Sequence, residues 1–330
     1  MEHFIKYVNI HNFKSIVDLK LEDCKRINIF LGYPNVGKSN ALEALGLFSL
    51  PFLRIDDSLN RLVRVENKNE LLYNVNDNYS FIATNLEDIS LRIAKDEIAI
   101  GGEHYHFCKD LTLISTGKPL GYNSNSNNIK RYTFQTKNKW ETTGESQLLP
   151  PFGENIIDVL SYNDNLSDVK AWMKQEFKKF GLELVLDKSS NSLKVQRRLG
   201  SDEVFILPYS SIADTLQRII FYKTAIASNT NSVLLFEEPE AHAFPPYIDT
   251  MMYDIIKAKT NQFFIVTHSP LVVNAFLEHP ESREETSIYV FDYKNDQTTA
   301  KRLSDEEIEL AYEYGDSLFF NLENLLVDEH

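Results

Sequence analysis

The stretch RINIFLGYPNVGKSNALEALGLF, residues 26–48, constrains this chain more than any other. Residues 26–31, RINIFL, are rich in β-branched and aromatic apolar residues and read as a buried strand. Gly32, Pro34 and Gly37 then punctuate a turn. After Lys38, the positions of Ala41, Leu42, Leu45 and Phe48 repeat with the three- and four-residue spacing of a helix face. Strand, glycine loop and helix in that order, with G-x-x-x-x-G-K-S running from Gly32 to Ser39, specify a phosphate-binding loop. The absent Cβ of Gly37 lets the backbone approach a phosphate closely. The loop N–H groups and the helix N-terminus make an anion site. Lys38 supplies a point charge for the β- and γ-phosphates of a nucleotide, and Ser39 offers its hydroxyl to Mg²⁺.

A phosphate loop that supports hydrolysis needs a metal holder and a water activator. The stretch SVLLFEEPE, residues 232–240, supplies both. The run from Val233 to Phe236 is continuously apolar, as in a parallel strand buried on both faces. It ends in two adjacent carboxylates, which point to opposite sides of a strand end. Glu237 is read as the metal holder, acting through water, and Glu238 as the general base. The alternative is a solvated acidic turn before Pro239. A third strand, QFFIVT at 262–267, leads into His268, a residue suited to sensing a γ-phosphate by hydrogen bonding. His104, His106 and Cys108 in GEHYHFCKD alternate on one face of a strand. Three ligands without a fourth fall short of a structural zinc site, so an exposed strand face is the reading there.

In this order the motifs resemble an ABC-type ATPase of the SMC/RecF class. More narrowly, the chain is similar to the compact AAA-like ATPases of the overcoming-lysogenization-defect (OLD) type, which belong to bacterial anti-phage systems. The resembling segments are VNIHNFKSIVDLKLED at the start, the phosphate loop (Walker A), PFGENIIDVL, LLFEEPEAHAFPP (Walker B and the D-loop), IVTHSP, and SDEEIELAYEYGDSLFFNLENLL near the end. They cover about residues 1–50 and 150–330, and the span between them matches weakly. The resemblance implies an α/β P-loop NTPase fold with a mixed central sheet, an antiparallel β lobe and a helical subdomain. It implies ATP and Mg²⁺ as cofactors. Nucleotide contacts fall to Gly32, Asn35, Val36, Gly37, Lys38, Ser39 and Asn40, with Lys14 of the Phe-Lys-Ser element beside them. Metal contacts fall to Ser39, Glu237 and Gln135, the last as a glutamine-loop residue. In trans, Ser211 of the signature segment reaches the γ-phosphate bound by a second copy.

Two positions depart from that pattern. Walker B carries Glu237-Glu238 where Asp-Glu is usual, and the extra methylene moves the metal-side carboxylate outward by about a bond length. The signature segment has Ala213 and Asp214 where a glycine is expected, which predicts a changed backbone approach and slower turnover.

The expected organisation is one ABC-type ATPase in three parts. These are a nucleotide-binding lobe with an antiparallel sheet at 1–150, a helical subdomain at 151–200, and a lobe with signature, Walker B and switch histidine at 201–330. SLRIAKDEIAI and KRYTFQTK are both read as strands of the antiparallel sheet, and GYNSNSNN at 121–128 as a loop. No apolar heptad persists between Lys38 and Glu238, so no long coiled coil is expected. The stretch after His268 is far below the ~100 residues of a usual domain. It lacks the paired acids of a Toprim nuclease, so the expectation is that no nuclease is fused.

The formal net charge of −14 argues against bulk binding of phosphate backbones. Two cysteines, Cys24 and Cys108, imply no disulfide framework. With no signal peptide and no apolar run near the ~20 residues of a membrane span, a cytoplasmic protein is expected. The function these observations favour is an ATPase that dimerises or assembles on ATP and controls a separate effector, a nuclease or toxin, in anti-phage defence. The alternatives are a RecF-like repair ATPase that binds DNA directly, and a slowly hydrolysing, ATP-locked scaffold.

Overall fold

In the computed structural model, the residues described are 3–326, apart from 78, 87–89, 95–96, 118–127, 138, 188 and 201. The polar tract at 121–128 therefore lies almost wholly outside the described residues. The chain opens with hairpin β1 (Val8–Phe13) and β2 (Ile16–Leu21), then β3 (Ile27–Gly32) and helix α1 (Lys38–Gly46). Next come β4 (Tyr79–Thr84), β5 (Ser90–Ala94), β6 (Glu97–Ile100), β7 (Glu103–Phe107), β8 (Leu113–Gly117) and β9 (Ile129–Tyr132). Helices α2 (Ile156–Tyr162) and α3 (Ser167–Lys179) precede three strands, β10 (Glu183–Asp187), β11 (Ser192–Arg198) and β12 (Val204–Pro208). Then follow α4 (Asp214–Ser228), β13 (Val233–Glu237), α5 (Pro245–Lys257), β14 (Gln262–Val266), α6 (Pro270–Leu277) and α7 (Pro280–Glu284). The chain ends with hairpin β15 (Thr286–Lys294) and β16 (Gln297–Arg302), α8 (Asp305–Tyr314) and α9 (Leu322–Leu326).

The chain divides into two compact units. The first comprises Met1–Arg131, Asn231–Glu238 and Lys259–His330. Its centre is a mixed sheet in the order β16-β15-β3-β14-β13-β9. Strands β15, β3, β14 and β13 run parallel, and β16 returns antiparallel. Every residue of β3 and β14 is buried, so both are mostly apolar without alternation; the polar exceptions, Asn28 and Gln262, are hydrogen-bonded in the interior. Phe30 lies at the heart of this layer, its ring 4.9 Å from that of Phe291 and 6.0 Å from that of Phe264. A second sheet in the same unit is wholly antiparallel, in the order β2-β1-β4-β5-β6-β7-β8. Its strands alternate, with Ile98, Ile100, Tyr105 and Phe107 in the core and the side chains of His104 and His106 outward. The start of α8 is held by a capping box: Ser304 Oγ accepts from Glu307 N, and Glu307 Oε2 accepts from Ser304 N.

One strand assignment changes. KRYTFQTK does not join the antiparallel sheet; the strand within it is β9, which pairs beside β13 at the edge of the central sheet. The pairing is anchored where Val233 N donates to Asn128 O, a contact that sequence spacing cannot foretell.

The second unit comprises Tyr132–Thr230 and Pro239–Ala258. The expected helices at 154–180 are present as α2 and α3. The unit also holds the antiparallel sheet β10-β11-β12 and the helices α4 and α5, so it is mixed and not purely helical, and it extends beyond 151–200. Its helices pack through Lys223, whose ammonium pairs with Asp254 at 2.5 Å and lies 5.0 Å from the Trp172 ring. Among the described residues, no helix is long and apolar enough to cross a membrane.

Candidate active site

The phosphate loop leaves β3 at Gly32 and enters α1 at Lys38. Two glycines make this path possible. Gly32 has φ +145°, and a Cβ there would lie 2.5 Å from the Phe291 carbonyl oxygen. Gly37 has φ +99°, and a Cβ would lie 2.0 Å from Thr298 Oγ1 and 2.9 Å from Ser15 Oγ. The need for glycine at 37 therefore comes first from the chain's own packing against β16, and not from a phosphate alone. Asn35 lies at the exposed tip with φ +64°, and Val36 tucks inward.

Lys38 is buried, and its ammonium donates to the carbonyls of Gly32 and Tyr33 at 2.8 and 2.7 Å. Burial pushes it down to about 8, with the Glu238 carboxylate pulling the other way. The cleft around it has a volume of about 450 Å³ and is lined by Lys14, Pro34, Asn35, Gly37, Lys38, Ser39, Asn40, Arg64, Glu238 and His268. Glu238 follows the end of β13 with φ +43°, a left-handed conformation uncommon for glutamate and typical of strained functional positions. Its Oε1 stands 3.6 Å from His268 Nε2. Burial and the nearby Lys38 charge lower the His268 imidazole below its ordinary value, against the pull of Glu238.

Glu237 points the other way. Its Oε1 accepts from Arg64 Nη2 at 3.0 Å, and its Oε2 accepts from Arg131 Nη2 at 2.6 Å. Burial pushes its carboxyl up, but Arg131, the Ser39 hydroxyl and Arg64 outweigh that and hold it below the usual carboxylate range. The Ser39 hydroxyl lies close enough to the Glu237 carboxylate to favour its charged form. Two hard oxygen donors side by side next to a phosphate loop fit Mg²⁺, which takes few protein ligands and keeps several waters.

The remaining candidates separate. Lys14 has φ +49°; its ammonium is engaged by Glu43 and by the Arg64 carbonyl at 2.9 Å. It borders the cleft while serving the wall behind it. Ser15 bonds Thr298 Oγ1 at 2.6 Å and accepts from Asn40 Nδ2 at 2.7 Å, so the Phe-Lys-Ser turn braces the phosphate loop and the start of α1. Gln135 and Ser211 both belong to the second unit and are exposed. Gln135 borders a small recess with Phe134, Trp140, Tyr209 and Phe221. Ser211 ends a short turn before α4, and Ala213 at its cap has φ −52°, a conformation open to any residue. The missing glycine therefore imposes no backbone strain at that point.

Sequence reasoning passed over three charged residues of the first unit. Glu43, fully buried in α1, accepts from Lys14 and from Arg64 Nε at 2.7 Å, and stands 3.9 Å from Arg131 Nη1. Arg64 and Arg131 join it to Glu237. The one available signal was a glutamate inside the apolar stripe NALEALGLF, since a buried carboxylate demands partners. His104 and His106 stack with rings 6.5 Å apart, His104 Nδ1 lying 3.0 Å from Glu97 Oε2. Cys108, just past β7, bonds Asp110 at 2.5 Å. Among the described residues, no cluster of three or more His, Cys, Asp or Glu is arranged to hold a metal.

A family described as "AAA domain, putative AbiEii toxin, Type IV TA system" matches residues 47–274, a span that takes in Glu237, Glu238 and His268. The chain belongs to this family. An SMC head domain with an extended coiled coil, bound to the C-terminal domain of ScpA, from Pyrococcus furiosus superposes with a TM-score of 0.50 at 14% identity. That superposition covers 94% of this chain and 98% of the other. The SMC head of Thermotoga maritima matches with a TM-score of 0.44 at 12% identity, over 91% of this chain and 99% of that one. At such identity the likeness to the Pyrococcus protein speaks for the fold: this AAA-family chain has the α/β P-loop architecture of an SMC-type ATPase head. An uncharacterized protein of Methanocaldococcus jannaschii is 50% identical over 44 residues, 13% of this chain. The match spans 20% of that relative's length.

Proposed function

We propose that this AAA-family protein hydrolyses ATP, pairs or assembles in its ATP-bound state, and controls a separate effector protein, a nuclease or toxin, in anti-phage defence. The observation that carries the reading is the meeting of Lys38, Ser39, Glu238 and His268 around one cleft, with the Glu237 carboxylate beside Ser39. In this reading Lys38 leaves the Gly32 and Tyr33 carbonyls for the β- and γ-phosphates, and the loop N–H groups hold the rest of the chain of phosphates. Glu238 takes the proton of the attacking water, and His268 holds the γ-phosphate side of the cleft. Ser39 and Glu237 would hold Mg²⁺, whose charge would offset that of the phosphate oxygens. Ser211 of a second copy completes the γ-phosphate shell, which couples assembly to ATP. The family description, which joins an AAA domain to a toxin system, and the ScpA partner of the Pyrococcus SMC head both favour a protein partner over direct DNA binding.

Nucleotide can bias a partner only by binding two states unequally. The test combines Lys38→Ala, which removes phosphate contact, with Glu238→Gln, which retains ATP without hydrolysis. Glu238→Gln should lose at least ~10²-fold in phosphate release, within the range general bases contribute. It should also gain mass by light scattering on addition of Mg²⁺ and ATP, whereas Lys38→Ala should lose phosphate release without gaining mass. Co-expression with the protein encoded beside it, then size-exclusion chromatography under ATP and ADP, reads partner control. A strict monomer under every nucleotide, together with an ATP-dependent DNA gel shift by this chain alone, overturns the reading in favour of DNA repair.

A further inference from the structure

Glu237 is held by two arginines of different kinds. Arg64 has a side chain that is 64% exposed and borders the cleft. The Arg131 side chain is only 6% exposed. Besides Glu237 Oε2, it donates to the Leu62 carbonyl, and its backbone N–H donates to Ser49 Oγ at 2.9 Å. Its aliphatic part runs beneath the end of α1, where a Cβ on Gly46 would lie 2.7 Å from Arg131 Cδ. A guanidinium does not shed its charge, so burying it demands an anion, and Glu237 and Glu43 supply two.

We infer that Gly46, Arg131 and Glu237 are a matched set that adapts the metal site to glutamate. Arg131 is a positioning residue: it pins Oε2 and leaves Oε1 as the single carboxylate oxygen for the metal shell. The same Oε1 is the oxygen Arg64 occupies, so Arg64 and the metal compete for it. Burial separates the two roles, since the exposed Arg64 can swing into solvent while the buried Arg131 has nowhere to go. The extra methylene of Glu237 is then the length needed to reach both Arg131 on one side and the Ser39 hydroxyl on the other. The inference rests on the nucleotide and metal assignment proposed above.

The experiment measures Mn²⁺ affinity by electron paramagnetic resonance in the presence of a non-hydrolysable ATP analogue. Affinity for the analogue without metal is the control. Arg64→Gln removes the competitor and should tighten Mn²⁺ by several-fold. Gly46→Ala displaces Arg131 without altering any charge and should weaken Mn²⁺ by about tenfold. Glu237→Asp should weaken it in the wild-type background and should gain little further loss when combined with Gly46→Ala, because both break one contact. Arg131→Gln is avoided as the sole probe because it also takes a counter-charge from the fully buried Glu43. Unchanged Mn²⁺ affinity in Gly46→Ala, or additive losses in the double variant, overturns the inference. If the wild type fails to bind the analogue even without metal, the nucleotide assignment itself falls.

Discussion

Raising the pH from 7 to 9 should weaken nucleotide binding, and the cause lies at Lys38. Burial lowers its ammonium to about 8, against an ordinary value of 10.5. Phosphates favour the charged form, so the protein that binds is the protonated one. With a midpoint of about 8, the charged fraction falls from about nine-tenths at pH 7 to about one-tenth at pH 9. Affinity should fall about tenfold, or about 1.4 kcal/mol. Near pH 8 each binding event should take up about half a proton, readable by calorimetry in two buffers of different ionisation enthalpy. The window is clean on both sides. A terminal phosphate ionises near pH 6, and His268 is lowered from its ordinary 6.5. Lys38→Arg keeps its charge throughout, so it should bind more weakly but with no pH dependence. A flat wild-type profile, or the same slope in Lys38→Arg, would refute the account of a desolvated ammonium.

Glu43→Gln should destabilise the fold by about 3–5 kcal/mol, because Lys14, Arg64 and Arg131 lose a fully buried counter-charge; urea unfolding measures it, and an unmoved midpoint would show the network to be ornamental. Gly37→Ala should lose nucleotide binding at least tenfold through its clash with Thr298 Oγ1, and Thr298→Ala should restore part of it. If Thr298→Ala restores nothing, the strain at φ +99° is the whole cause.

The phosphate loop and the two strands that face it were legible because each is a local pattern. Strands buried on both faces favour largely apolar runs without alternation, and INIFLG, VLLFE and QFFIV have that character. A strand end followed by an acid or a histidine marks the side where such sheets bind ligands. KRYTFQTK shows the limit. It carries strand chemistry, but nothing in it distinguishes the antiparallel sheet from the edge beside β13, since pairing is decided by what lies across the sheet. Of the strands β10, β11 and β12 only β11 alternates, so the group was hidden behind the stronger helical signal of the preceding segment.

By itself, then, the amino-acid order determined the strand–loop–helix phosphate site, the α/β class, and the identities of Lys38, Ser39, Glu238 and His268 as candidates. Only the tertiary structure decided what Glu237 touches. Arg64 and Arg131 stand far from it along the chain, and Glu43 is linked to all of them only because α1 buries it beside β9 and β13. A buried carboxylate reveals in sequence that it must have partners, because an uncompensated charge is too costly. Which cations answer it depends on side chains that folding brings to within 3 or 4 Å, and no spacing along the chain encodes that distance.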